Sequence, residues 1–445
     1  MSPSPVDELC EFLRFPSVST SAERSGDLVA CAEWLSRRFS RAGLESRVVP
    51  TPGHPVVLAK SRPRPGLRTV LIYGHYDVQP VDPVELWESP PFEPSIRDGV
   101  IYARGSADNK GQIFAHVLGV AQTLEEKGEL PVNVIFLVEG EEEVGSSHLE
   151  DFLKAHREEL QCDVIAVSDT GMVGAGIPTL TYGLRGVAAL ELKVSGPSRD
   201  LHSGIFGGAV ANPLSVVARL VAALHDADGR VAIPGFYDAV EPLAEWEREA
   251  WAALPMGERE LLELTGAPGL TGEPGYNARE RIWARPTAEV NGIGGGFQGA
   301  GTKTVIPSHG FAKVTFRLVP QQEPEKILEA ARAFLEARCP AGVRLEVDLG
   351  HAGQPYLMDP RGEWGGAATR ALERTFGGQV ALIREGGSIP IINTFERVLG
   401  VETLLLGLAL PDCRAHSPNE NFPVANFLAG IRLNQELLTE LGSAE

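Results

Sequence analysis

A chain of 445 residues exceeds what one hydrophobic core ordinarily organises, so two domains are expected, one of them inserted in the other. With 43% hydrophobic and 22% charged residues, 49 Gly and 33 Pro, the composition is that of a loop-rich globular protein and not of a disordered one. Forty Lys and Arg against 59 Asp and Glu leave a net charge of −19, which repels phosphate backbones and anionic headgroups and argues against nucleic acid and membrane as partners.

The N-terminal MSPSPVDELCEFLRFPSVST has no basic stretch leading into an apolar one, and no run of about 18 apolar residues occurs anywhere in the chain. A soluble, unexported protein is expected. Five widely scattered cysteines (Cys10, Cys31, Cys162, Cys339, Cys413) with no CxxC pair fit a reducing cytoplasm and speak against zinc held by thiolates.

Residues 27–43 carry apolar side chains at helical spacing up to a glycine, and TVLIY (69–73) reads as a buried strand. The alternation then repeats: a helix around 111–127, the strand VNVIFLV (132–138), a helix around 146–159, the strand DVIAVS (163–168), and far downstream TLLLGLA (403–409). Helices alternating with buried strands predict an α/β domain with a mostly parallel sheet covered on both faces. The middle differs, because VAALELKVSG (187–196) and HGFAKVTFRLVP (309–320) alternate in period two beside helical stretches near 211–226 and 324–338. An inserted α+β domain over 186–356 is expected, with 1–185 and 357–445 forming the α/β domain.

Five signals fall at the carboxyl ends of predicted strands, where open α/β sheets place their sites. His75 and Asp77 follow TVLIY and, two apart on extended backbone, point the same way. Asp108 lies in the glycine-rich ARGSADNKGQ before a helix, where an N-cap is the ordinary reading. Glu139, Glu141, Glu142 and Glu143 crowd the end of the next strand; an acidic helix start explains one or two of them, while four repel one another unless cations sit there or water surrounds them. Asp169 follows DVIAVS, and His416 follows TLLLGLA by a short loop. Two histidines and several carboxylates without cysteine form a nitrogen and oxygen donor set suited to a pair of zinc ions, with manganese or cobalt as alternatives.

These residues closely resemble the dinuclear zinc metallopeptidases that include carnosinase, cytosolic nonspecific dipeptidase, carboxypeptidase G and succinyl-diaminopimelate desuccinylase. The resemblance runs over nearly the whole chain and is strongest in GHYDVQP (74–80), RGSADNKG (104–111), EGEEEVGS (139–146), RDLHSG (199–204), GTKTVIP (301–307), FRLVP (316–320), REGGSIP (384–390) and AHSPNE (415–420). The dipeptidase branch fits better than the desuccinylase branch. The resemblance implies that Asp108 bridges two zinc ions, with His75 and Asp169 completing one and Glu143 and His416 the other. Asp77 would orient His75, and Glu142 would be the general base; that choice over Glu141 rests on matching the Gly145-Ser146 that follows. It also implies that the inserted domain pairs two subunits and lends His202 to the partner's site, and that Arg317, Thr304, Gly387 and Ser388 bind substrate.

The implied reaction is hydrolysis of a dipeptide or, alternatively, of an N-acyl amino acid. Two readings from other classes compete with it. Gly296 and Gly301 have the spacing of a phosphate loop, but Thr302 stands where that motif needs Lys. A catalytically dead, metal-stabilised scaffold is opposed by the intact Glu142.

Overall fold

The computed structural model describes residues 3–443 apart from Met256 and Ser388. The chain divides into two compact units, one of Met1–Tyr182, Met358–Ile383 and Thr394–Glu445, the other of Gly183–Leu357 and Arg384–Asn393.

The first unit is built on a mixed sheet. Its centre is the parallel set Asn133–Glu139, Thr69–His75, Val164–Gly171 and Thr403–Ala409, in that spatial order. These strands are buried almost throughout, as the continuous Val, Ile and Leu runs require. Beside these four, Val56–Lys60 adds antiparallel to Asn133–Glu139, and Thr179–Leu184 adds antiparallel to Thr403–Ala409. The register sets His75 opposite Glu139, so the carboxyl ends of neighbouring strands finish level with one another.

Helices form where apolar spacing and caps coincide. Ser25–Arg41 buries Leu28, Cys31, Ala32, Leu35 and Phe39 along one stripe and stops before Gly43, whose φ of +86° suits only glycine at low cost. The Lys110–Lys127 helix packs against Val424–Ser443. The helix expected around 146–159 is shorter, Leu149–Ala155, because Gly145 and Ser146 take positive φ in the preceding turn and Ser146 donates its hydroxyl to Glu139. A small sheet pairs Asn421–Pro423 with Val100–Tyr102, which brings the chain after His416 beside the chain before Asp108.

The second unit is a four-stranded antiparallel sheet in the order Thr287–Gly295, His309–Leu318, Gly186–Ser195, Arg344–Gly353. Its period-two pattern buries Ala188, Leu190, Leu192 and Val194 together with Ala312, Val314, Phe316 and Leu318, under helices Pro213–Ala222 and Pro324–Glu336. Three short helices, Glu245–Ala252, Glu258–Thr265 and Ala278–Ala284, occupy a stretch for which the sequence offered no reading. Among the described residues no helix is long and apolar enough to cross a membrane.

Candidate metal centre

His75 ends its strand fully buried. Its Nδ1 lies 3.1 Å from the Asp77 carbonyl oxygen and 3.4 Å from Asp77 Oδ1, which leaves Nε2 facing forward. There it stands 3.1 Å from Asp108 Oδ1 and 3.7 Å from Asp169 Oδ2, and no hydrogen bond satisfies it. His416 Nε2 approaches the other Asp108 oxygen, Oδ2, at 2.7 Å and Glu143 Oε2 at 3.3 Å. Two donor groups result, His75 with Asp108 and Asp169, and Asp108 with Glu143 and His416, the donor atoms within each lying no more than 4.8 Å apart.

The donor set fits a metal pair on two counts. A buried imidazole nitrogen without a hydrogen bond is costly unless something else binds it. Ligands about 2.0–2.1 Å from a tetrahedral ion stand about 3.3 Å from one another, close to the separations found here. Asp108 is the only member of both groups and offers one oxygen to each.

The electrostatics follow from this crowding. Although burial opposes it, the His416 and His75 imidazoles beside it hold the Asp108 carboxyl well below its usual range. The Asp108 and Glu143 carboxylates push the His416 imidazole up to about 10. His75 is raised too, with Asp108, Asp169 and Asp77 overcoming the desolvation that would lower it. Without cations, protonated imidazoles supply the positive charge that the carboxylates need.

The acidic run is resolved residue by residue. Glu139 is buried, accepts from Tyr73 Oη at 2.6 Å and Ser146 Oγ at 2.8 Å, and is pushed up to about 7 by desolvation. Glu141 pairs with His148 Nδ1 at 3.0 Å. Burial raises Glu142 to about 8; His75 opposes this, and Asp169, Glu143 and Asp108 add to it, which marks these four as its electrostatic neighbours. Asp77 accepts from the backbone N–H of Glu142 at 3.2 Å and of Glu143 at 3.1 Å, so one carboxylate fixes both His75 and the acidic turn.

Several supporting residues went unassigned from the sequence. Asn109 donates its amide to Asp169 Oδ1 at 2.8 Å, and Gln79 donates to Glu143 Oε2 at 2.8 Å. Glu420, fully buried, accepts from Arg104 Nη1 and from the backbone of residues 105, 107 and 108. Their place inside the motifs GHYDVQP, RGSADNKG and AHSPNE was the available signal.

In the second unit Leu201–His202 pairs with Val305–Ile306, and Ser203 N–H donates to the Thr304 carbonyl at 3.0 Å, so His202 and Thr304 are neighbours. His202 is exposed, and its Nδ1 accepts from Gly204 N–H at 3.0 Å, which puts the ring proton of the neutral form on Nε2. Arg317 lines a cavity of about 560 Å³ with Arg185, Tyr237, Glu273, Arg285 and Glu289. Gly387 is exposed in the same unit, and Ser388 lies outside the described residues. The glycine-rich stretch after Thr287–Gly295 leads into the short strand Val305–Ile306 and not into a helix, so the context of a phosphate loop is missing.

An α/β unit with two histidine and carboxylate groups at the ends of its parallel strands, joined by one aspartate, has the donor chemistry of a hydrolase that works with a pair of metal ions. The profile described as peptidase family M20/M25/M40 matches residues 71–440, and the chain belongs to that family. It is 33% identical to the Cys-Gly metallodipeptidase of Schizosaccharomyces pombe over 98% of this chain and 95% of that protein. Among solved structures it is similar to an M20 family metallo-carboxypeptidase of Sulfolobus solfataricus (32% identity, TM-score 0.86, 99% of each chain). Human carnosine dipeptidase 1 is a further neighbour (29% identity, TM-score 0.81, 98% of this chain and 96% of that one).

Proposed function

We propose that the chain is a dipeptidase working with two divalent ions, zinc in the first instance and manganese or cobalt as substitutes. The observation that carries this reading is the sharing of Asp108 between two donor groups, each completed by one histidine and one carboxylate. His75 and Asp169 would hold one ion, Glu143 and His416 the other. When bound, such a pair lowers the pKa of water from 15.7 toward about 7 and polarises the scissile carbonyl.

Glu142 is the general base in this reading: it takes a proton from the attacking water and returns it to the departing amine, which makes a poor leaving group a good one. Asp77 keeps Glu142 and His75 in register through the contacts above. His202 Nε2–H would donate to the developing oxyanion, a contribution of about 3 kcal/mol for one well-placed donor. Arg317 would take the substrate's terminal carboxylate in a two-pronged contact, with Thr304, Gly387 and Ser388 beside it.

In the same reading the protein is a cytoplasmic homodimer joined through the inserted domain, residues 186–356, with His202 acting in the partner's site. The five free thiols suit that compartment.

A screen of dipeptides against N-acyl amino acids with added zinc, manganese or cobalt tests the proposal. Turnover of dipeptides that chelator abolishes and metal restores is expected, Cys-Gly and β-Ala-His being the first substrates to try. Turnover of N-acyl amino acids alone would shift the reading to a deacylase, and no turnover under any metal would overturn it.

A further inference from the structure

Glu420 is the least accounted for of the buried acids. Its carboxylate is fully buried and Arg104 is 1% exposed. Oε1 accepts from Ala107 N–H at 2.8 Å and Asp108 N–H at 3.1 Å, while Oε2 accepts from Gly105 N–H at 3.0 Å and Arg104 Nη1 at 2.7 Å. The Glu420 carbonyl also accepts from Ala103 N–H at 3.1 Å. Every residue from 103 to 108 except Ser106 therefore donates to this one residue.

Burying a second carboxylate beside Asp108 is unfavourable unless it is fully paired, and ordinary loop anchoring needs only a neutral acceptor. Four donors on two oxygens supply that pairing and curl the 104–108 backbone around the carboxylate. Arg104 extends the connection, donating Nη2 to the Pro80 carbonyl at 2.9 Å, one residue beyond Gln79, which donates to Glu143. The other end of the same loop carries His416, whose Nε2 meets the Asp108 side chain at 2.7 Å. The loop thus grips Asp108 twice, by its backbone through Glu420 and by its side chain through His416.

We propose that Glu420 is a positioning residue for the metal pair: it sets Asp108, and with it the distance from Asp108 to His416, before any ion arrives. This rests on the two-ion reading above. Removing such a support behind a ligand lowers metal affinity by about 10- to 100-fold, because the ion must then also order the loop. Glu420→Gln keeps the shape but turns an amide N–H₂ toward backbone N–H donors, so the clasp opens without a cavity.

The test is a zinc titration of chelator-stripped protein against a chromophoric competitor, for wild type, Glu420→Gln and the control Glu440→Gln. Glu440 is also buried and ion-paired, with Arg374 at 2.7 Å, but joins two helices and touches none of the donor groups. With far-UV circular dichroism of the stripped proteins unchanged, Glu420→Gln should bind zinc about 10- to 100-fold more weakly and alter the visible spectrum of the cobalt form, while Glu440→Gln matches wild type. Wild-type affinity in Glu420→Gln, or equal losses in both variants, would overturn the proposal. Should Glu420→Gln not fold, hydrogen exchange of metal-free wild type decides: amides 105–108 protected without metal support the clasp, and amides exchanging at the open-loop rate refute it. A wild type that binds no zinc would sink the two-ion reading itself, which separates that failure from this one.

Discussion

Glu141 and His148 lie 3.0 Å apart, so the Glu141 carboxylate is engaged by an imidazole that belongs to neither donor group. Glu142, one residue on, is influenced instead by His75, Asp169, Glu143 and Asp108. Glu142→Gln should therefore retain its metal and lose a factor of about 10² to 10⁴ in kcat, while Glu141→Gln keeps kcat near wild type. Steady-state kinetics with metal analysis of both variants checks this. The reverse pattern would move the base to Glu141.

Metal stoichiometry should depend on which donor is removed. Saturated and dialysed wild type should hold two ions per chain, His416→Ala one, in the group of His75, Asp108 and Asp169, and Asp108→Asn neither. Metal-free His416 sits at about 10, so its imidazole carries a proton at neutral pH that ligation must displace, and His75 is shifted in the same direction. Zinc uptake at pH 7 should release protons, read as a binding enthalpy that changes with buffer ionisation enthalpy. A buffer-independent enthalpy would contradict the protonated resting state.

A buried histidine apart from the donor groups gives a pH dependence of stability. His116 Nε2 lies 2.8 Å from Ser168 Oγ, and Asn434 Nδ2 lies 2.9 Å from its Nδ1; burial lowers the imidazole to about 4 from 6.5. The folded protein keeps it neutral while the unfolded chain takes up a proton below pH 6.5, so stability falls as pH falls from 6.5 to about 4. The loss approaches about 3 kcal/mol across that window and levels off below it. In chelator-treated protein, denaturant midpoints of His116→Gln should change less steeply over this range than those of wild type. Parallel curves would exclude His116 as the source.

Sharing of sites between subunits has a direct assay. If His202 serves the partner, mixing inactive His202→Ala with inactive Glu142→Gln gives mixed dimers in which one composite site carries both defects and the other none. After subunit exchange, activity should return toward about a quarter of wild type, since random pairing puts roughly half the chains in mixed dimers with one intact site of two. Confirmed exchange without recovery would confine His202 to its own chain.

The strands were legible in the sequence because the hydrophobic period is local: TVLIY, VNVIFLV, DVIAVS and TLLLGLA need no distant partner to be read as buried strands, and their carboxyl ends announced His75, the acidic run, Asp169 and His416. The period-two strands of the second unit were legible for the same reason. Which glutamate faces which neighbour was not, because Glu139, Glu141, Glu142 and Glu143 differ only in contacts made elsewhere, to Tyr73, His148 and Asp77. Glu420 was still less legible. Its donors stand more than 300 positions away in the chain, and only the pairing of Asn421–Pro423 with Val100–Tyr102 brings them within reach. Residue type and spacing thus decided which donors were available and at which end of the sheet they stand. Tertiary packing decided their burial and partners, and hence each carboxylate's charge and task, because desolvation and hydrogen bonding depend on the groups that surround a side chain in space.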